Sequence, residues 1–224
     1  MSRFWAEAKE VGFESVFALD FEGGDRTGVV EFGVVEIKSH GVADCWTGLC
    51  SPSEDIPRRE SETHGLWTHN LKDREPFAAY WEFFRDLRRK GPFLAHSAQV
   101  EDRFLRRQWR TPGEVVDWSG KSRTGIGWGP WLDSCGIFRS IYPSSPAGLG
   151  HLVGAENLGA ELDDLAGLRC PEGRARWHAA LYDTLASALL FGCAVGHKQD
   201  WGVGQFFRAS RGEGVESGEQ MGLL

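Results

Sequence analysis

The sequence predicts an α/β protein built around a mixed sheet. Two patterns carry this expectation. Residues 15–21, 29–37 and 42–49 are rich in β formers and joined by short connections, which reads as a three-strand antiparallel meander. Further along, helical periodicities alternate with short apolar runs, the pattern of helices and strands sharing one sheet.

Each element follows from its residues. Ser39-His40-Gly41 supplies a hairpin-type connection between the second and third strands. Residues 51–74 are polar and carry Pro52 and Pro57, so a loop with a short helix is expected. Residues 77–90 place Phe77, Tyr80, Trp81, Phe84 and Leu87 at helical spacing, and Gly91-Pro92 stops that helix. A short buried strand at 92–95 leads to a helix at 101–110. The Gly/Ser-rich stretch 111–129 reads as a mobile loop. A strand at 131–133 runs into a helix at 134–141 that Pro143 ends. Residues 148–158 and 177–195 are the last expected helices.

With 224 residues, the chain suits one domain or one domain with a tail, since a domain takes ~100–200 residues. The domain is expected over 1–197. Residues 198–224 turn Gly-rich and polar and are expected to form a partly disordered C-terminal tail. Lys and Arg total 25 against 32 Asp and Glu, a net charge of −7. Such a surface repels phosphate backbones and argues against a broad, non-specific duplex binder. An acidic site filled with cations stays compatible with it. Five cysteines, an odd number without CxxC spacing, read as reduced thiols of a cytoplasmic protein. The N-terminus lacks the apolar run of a signal peptide. The longest apolar stretch, 185–195, is interrupted by Ser187 and too short to span a bilayer, so no membrane partner is expected.

Three segments could carry chemistry. Asp20 and Glu22 lie two apart at the end of the first strand, so both carboxylates share a face. Like charges this close repel unless a cation sits between them, which invites Mg²⁺ or Mn²⁺. Alone, an Asp-x-Glu is common and reads as a solvated strand end. The second segment is His178 to Asp183. A five-residue offset places both in one site only if His178 lies in the loop entering the helix and Asp183 one turn inside. Asp183 sits among Ala, Leu and Phe, where a carboxylate is costly unless paired or metal-bound. The third runs from Ala95-His96-Ser97 to Glu101-Asp102. Acids opening a helix also serve its dipole, which is the plainer reading. The stripe Arg103, Arg106, Arg107 and Arg110 could meet phosphates, though a solvated face explains it as well.

Taken in order, the three segments resemble the DEDD-type 3′→5′ exonucleases in their histidine variant, a family that includes the proofreading subunit of bacterial DNA polymerase III and RNase T. Asp20 and Glu22 match its first motif, the segment from Ala95-His96 its second, and His178-Ala179-Ala180-Leu181-Tyr182-Asp183 its third. His64-Gly65-Leu66, Asp133-Ser134 and the segment 149–152 resemble intervening landmarks. The chain departs from the pattern in three places. Gly23-Gly24-Asp25 follows Glu22, Ser97 replaces an Asn, and an ungapped match puts Glu101 at the second-motif acid. Asp102 is the alternative there. A helical wheel points Glu101 to the middle of the apolar face defined by Phe104, Leu105 and Trp109, which favours Glu101.

The resemblance implies a ribonuclease H-like fold with a mixed five-stranded sheet, a three-strand antiparallel meander plus parallel strands, flanked by helices. It implies two divalent ions, Mg²⁺ or Mn²⁺, on Asp20, Glu22, Asp183 and Glu101, with His178 as general base. Phe21, Gly23, His64, Leu66 and Ser97 are the implied substrate contacts. The partners implied are single-stranded or frayed 3′ ends of DNA or RNA, and some relatives are homodimers. Gln205-Phe206-Phe207 is a poor imitation of a sliding-clamp peptide, so a stand-alone nuclease is preferred over a polymerase-associated proofreading subunit. A catalytically impaired nucleic-acid-binding module is the other alternative, motivated by the departures.

Overall fold

A computed structural model describes residues 2–120 and 124–215. Helix α1 (Arg3–Val11) precedes the meander β1 (Val16–Gly24), β2 (Gly28–Lys38) and β3 (Gly41–Leu49). Two short helices follow, α2 (Arg58–His64) and α3 (Thr68–Leu71). A 3₁₀ turn, Phe77–Tyr80, leads into α4 (Trp81–Lys90), then β4 (Phe93–Ala95) and α5 (Gln99–Gln108). The small strands β5 (Val115–Val116) and β6 (Thr124–Gly125) pair with each other. They are followed by β7 (Trp131–Asp133), α6 (Ser134–Ile141), α7 (Leu149–Ala155), α8 (Gly159–Arg169), α9 (Ala180–His197) and α10 (Val203–Ser210).

The main sheet has five strands in the order β3-β2-β1-β4-β7. The first three are antiparallel, and β4 and β7 join β1 in parallel. This is the mixed, helix-flanked sheet expected. Strand alternation splits the core in two. Val16, Ala18, Val35, Ile37, Leu94 and Leu132 face α9 and its neighbours. Phe17, Leu19, Phe21, Phe32, Val34 and Phe93 face α4 and α5. Helix α9 is long and apolar enough to cross a membrane, but most of it is buried inside this fold.

Two expectations are corrected. The boundary at 197 does not separate a domain from a tail, because α10 buries Val203, Phe206, Phe207 and Ala209. The Phe206 ring meets Phe4 edge-on at 5.1 Å, which ties α10 to α1. A clamp-type peptide must offer its aromatics to a partner, and these two are in the core. Residues 216–224 of the expected tail lie outside the described residues, as do 121–123. Within the expected loop 111–129, the described residues around Val116 and Trp128–Gly129 are pinned rather than loose. Buried Arg88 donates to the carbonyls of Trp128 (2.8 Å), Val116 (3.0 Å) and Gly129 (2.8 Å), and Trp128 fills the core. Helices α1 and α8, for which no expectation was formed, complete the layer around α9.

Candidate active site

The site stands at the carboxyl end of β1. The register pairs Asp20 with Gly33 and Glu22 with Glu31 across β1 and β2. Alternation turns Asp20 and Glu22 to the same face as Val16 and Ala18, toward α9. Gly33 makes the next step possible. A β-carbon there would lie 2.5 Å from the Ala180 backbone, so only glycine lets the first turn of α9 rest on β2 beside Asp20. Asp183, one turn into α9, is thereby carried to the first two acids.

Glu31 fixes that helix end. Its Oε2 accepts from the Ala180 amide at 3.0 Å, taking up a donor that the first helical turn leaves free. The same carboxylate is held by the Arg174 guanidinium, with Nε to Oε1 at 2.9 Å and Nη2 on Oε2. Arg174 and Arg176 also donate to the His64 carbonyl, at 2.7 and 2.9 Å. The loop before α9 is thus strapped to both β2 and the end of α2.

His178 ends this strap. Its φ of 60° lies in the left-handed region, which costs a residue with a β-carbon about 1–2 kcal/mol. The amide of His178 donates to Asp183 Oδ2 at 3.2 Å, which fixes the turn. Donor atoms of Glu22, His178 and Asp183 all lie within 4.8 Å of one another. The His178 side chain is exposed, whereas Asp183 is buried. The helical offset expected for this pair, loop histidine and helix aspartate, is the one observed.

The fourth acid comes from α5. Glu101 is buried and its charge acts on Asp20. Asp102 turns away: Oδ1 accepts from Trp131 Nε1 at 2.9 Å, and Oδ2 pairs with Arg106. Among the described residues, three buried carboxylate oxygens have no hydrogen-bond partner, Asp20 Oδ2, Glu101 Oε2 and Asp183 Oδ1. Burial pushes all four acids up, and their mutual repulsion adds to it for Asp20 and Glu22. Glu22 and Glu101 rise to about 8 and Asp183 to about 7. Arg174 and Arg176 only partly offset this at Glu22, and Arg174 is already engaged by Glu31. Unpaired buried oxygens of one sign are costly, and hard divalent cations are the group this donor set fits.

The other expected contacts are placed as follows. The Phe21 side chain is in the core against Phe77 and Phe84, so it is not offered to a substrate. Gly23 sits at an irregularity of β1, with φ 141°, where a β-carbon would fall 2.0 Å from the Gly28 carbonyl. His64 is buried and held down to about 4 by its burial and the two nearby arginines. Its Nδ1 accepts from the Leu66 amide at 3.1 Å, and Leu66 packs on Val30, Ile56 and Leu71. Ser97, at φ 68°, and Ala98 donate their amides to Asp133, which also caps α6. His96 is held between Ser134 Oγ and the Ala147 carbonyl, in a structural role. The arginine stripe of α5 is exposed, with Arg106 on Asp102 and Arg107 on Asp25.

Sequence reasoning missed Glu31, Gly33, Arg174 and Arg176. Glu31 did carry a signal, since a carboxylate inside the apolar strand 29–37 needs a partner. Nothing local marks Gly33, whose reason is a helix 147 residues away.

No family model matches the chain. Among curated proteins it is similar to DNA polymerase III PolC-type of Thermotoga petrophila, 26% identical over 163 residues. The match covers 73% of this chain and 10% of that protein. The PolC-type enzyme of Thermotoga maritima is also 26% identical, over 187 residues, covering 80% and 12%. The chain therefore spans about a tenth of the length of these relatives. Among solved structures it superposes on Exonuclease X in complex with 5′ overhanging duplex DNA, with a TM-score of 0.63 at 18% identity, covering 87% of this chain and 99% of that one. The nuclease domain of 3′hExo, a DEDDh family member bound to rAMP, gives 0.55 at 14% identity, covering 83% and 94%. Cell-death related nuclease 4 gives 0.57 at 14%, covering 83% and 64%.

Sheet order and helix layers together define the ribonuclease H-like fold that these exonuclease structures share. At the carboxyl end of β1 the structure gathers Glu22, His178 and Asp183, with Asp20 and Glu101 close enough for their charges to act on each other.

Proposed function

We propose that this protein is a divalent-metal-dependent 3′→5′ exonuclease that releases nucleoside 5′-monophosphates one at a time. The observation that carries the reading is the convergence of three unpartnered, buried carboxylate oxygens with Glu22 and the exposed imidazole of His178. Asp20, Glu22 and Asp183 would hold one ion, Mg²⁺ or Mn²⁺, and Glu101 would support a second near Asp20. Bound there, such ions supply a low-pKa water and charge stabilisation at the scissile phosphate. They also reconcile an acidic chain with a polyanionic substrate.

His178 supplies the base. Imidazole is the side chain whose ordinary titration falls nearest neutral pH, and its exposed position lets it take the proton from attacking water and pass it to solvent. The His178 amide to Asp183 and the Arg174–Glu31 strap orient it. Gly23 and the Phe21 backbone border the acids, where a strand's 3′ end would lie, and Ser97 and the His64–Leu66 segment are the further proposed contacts. A frayed or single-stranded 3′ end suits such a site, because a paired base must first be extruded at a cost of a few kcal/mol.

The test is digestion of 5′-labelled DNA and RNA single strands with Mg²⁺ or Mn²⁺. Wild type should shorten the strand from its 3′ end, and Asp20→Ala and His178→Ala should stop it. Undiminished turnover in either variant refutes the mechanism. Five free cysteines support a reducing, cytoplasmic setting. The likeness to PolC-type polymerases supports a second reading, a proofreading partner of a polymerase. Co-purification of a polymerase with the tagged protein would favour it over a stand-alone nuclease.

A further inference from the structure

A second set of metal-ligating side chains gathers at the other end of α9. Glu156, just after α7, lies with Oε2 2.8 Å from His197 Nε2 and 3.1 Å from Cys193 Sγ. The same Nε2 is 3.3 Å from Cys193 Sγ, and Tyr142 Oη stands 3.5 Å from it. Cys193 and His197 are four residues apart, so they share one stripe of the helix. Ten residues separate Cys193 from Asp183, about 15 Å along the helix axis. The cluster is therefore distinct from the acid site.

The geometry is that of chelation rather than proton relay. A Cys–His–carboxylate relay turns one ring nitrogen to the sulfur and the other to the carboxylate. Here one nitrogen faces both, so sulfur, nitrogen and oxygen surround a common point. Their separations, 2.8 to 3.3 Å, fall a few tenths short of the ~3.3–3.6 Å edges of a tetrahedral zinc shell with these donors. His197 is part-exposed and free to give that much. The donor types also differ from those at the acid site. A thiolate and an imidazole select zinc-like ions, whereas carboxylates alone suit Mg²⁺ and Mn²⁺.

We propose that Glu156, Cys193 and His197 form a second metal site, for zinc or a similar borderline transition-metal ion, with a fourth position open to solvent beside Tyr142. Binding expels the Cys193 thiol proton to solvent and forms the metal–sulfur bond; no electron changes hands. The bound ion joins the C-terminal end of α9 to the connection between α7 and α8.

The test titrates the metal-free full chain with Zn²⁺ by calorimetry and with Co²⁺ by absorption. Co²⁺ should give a thiolate-to-cobalt charge-transfer band and tetrahedral ligand-field bands. Both should persist in Asp20→Ala, survive excess Mg²⁺ and disappear in Cys193→Ser. Zn²⁺ affinity should fall at least tenfold in Cys193→Ser, His197→Ala and Glu156→Gln, each checked for native circular dichroism. Lack of a charge-transfer band in wild type, or its survival in Cys193→Ser, overturns the proposal and leaves a hydrogen-bonded cluster. Should Cys193→Ser misfold, the near-isosteric Glu156→Gln carries the affinity test, and an unchanged Zn²⁺ affinity in it overturns the proposal.

Discussion

At the scale of single residues, the acid site makes two predictions. Glu101, not Asp102, faces Asp20, so Glu101→Gln should lower kcat about 10–100-fold, the loss typical when a metal site is perturbed. Asp102→Asn should leave kcat within a factor of about three, because that side chain serves Trp131 and Arg106. Steady-state rates of both variants with Mn²⁺ check this. The second prediction concerns pH. Unfolded, these carboxyls titrate at 3.8 to 4.5, whereas the fold holds Glu22 and Glu101 up to about 8 and Asp183 to about 7. The metal-free folded state binds the extra protons, so stability is greatest at low pH and is lost as pH rises through the folded values. His64, held down to about 4 from 6.5, runs the other way below 6.5. The clean window is therefore from about 6.5 to about 8. There the Tm of metal-free protein should fall with pH, less in Asp183→Asn, and Mn²⁺ should reverse the fall. A Tm that rises with pH in metal-free protein contradicts the burial argument.

At the scale of elements, the site depends on how α9 meets the sheet. The Glu31–Arg174 pair is nearly buried on both sides, at 3% and 13% exposure. Breaking such a pair costs about 3–5 kcal/mol, because the remaining charge is left alone. Arg174→Ala should lower the denaturant midpoint accordingly and reduce turnover by freeing the His178 loop. Gly33→Ala should destabilise as well, by about 1–3 kcal/mol, since α9 must retreat from β2. Unfolding curves of the two variants test this directly. The first two acids could be read from strand alternation, and the His178–Asp183 offset from helix geometry, because both are local periodicities. The Gly33 and Glu31 contacts with α9 join residues about 147 to 149 apart. No local pattern encodes them, and Glu31 betrayed only that it needed some partner.

At the scale of the whole molecule, the three-strand meander was legible from its β-rich runs and short connections, and the five-stranded mixed sheet from the resemblance of the three motif segments. The chain's ends were not. Helix α10 has a Gly-rich, polar approach that reads as tail, yet Phe206 and Phe207 are fully buried. Removing a buried Phe costs about 3–5 kcal/mol, against a total stability of about 5–15 kcal/mol for a domain. A chain ended after residue 197 should thus fail to give a cooperative thermal transition, where the full chain melts sharply. The central claim is that four acids and one imidazole, drawn from β1, α5 and the start of α9, act as a single hydrolytic centre. Single-nucleotide product ladders from a 5′-labelled strand, resolved over time with Mn²⁺, test it most directly. The account predicts stepwise loss from the 3′ end that vanishes in His178→Ala while the fold survives. Internal cuts, or an unchanged ladder in that variant, would contradict it.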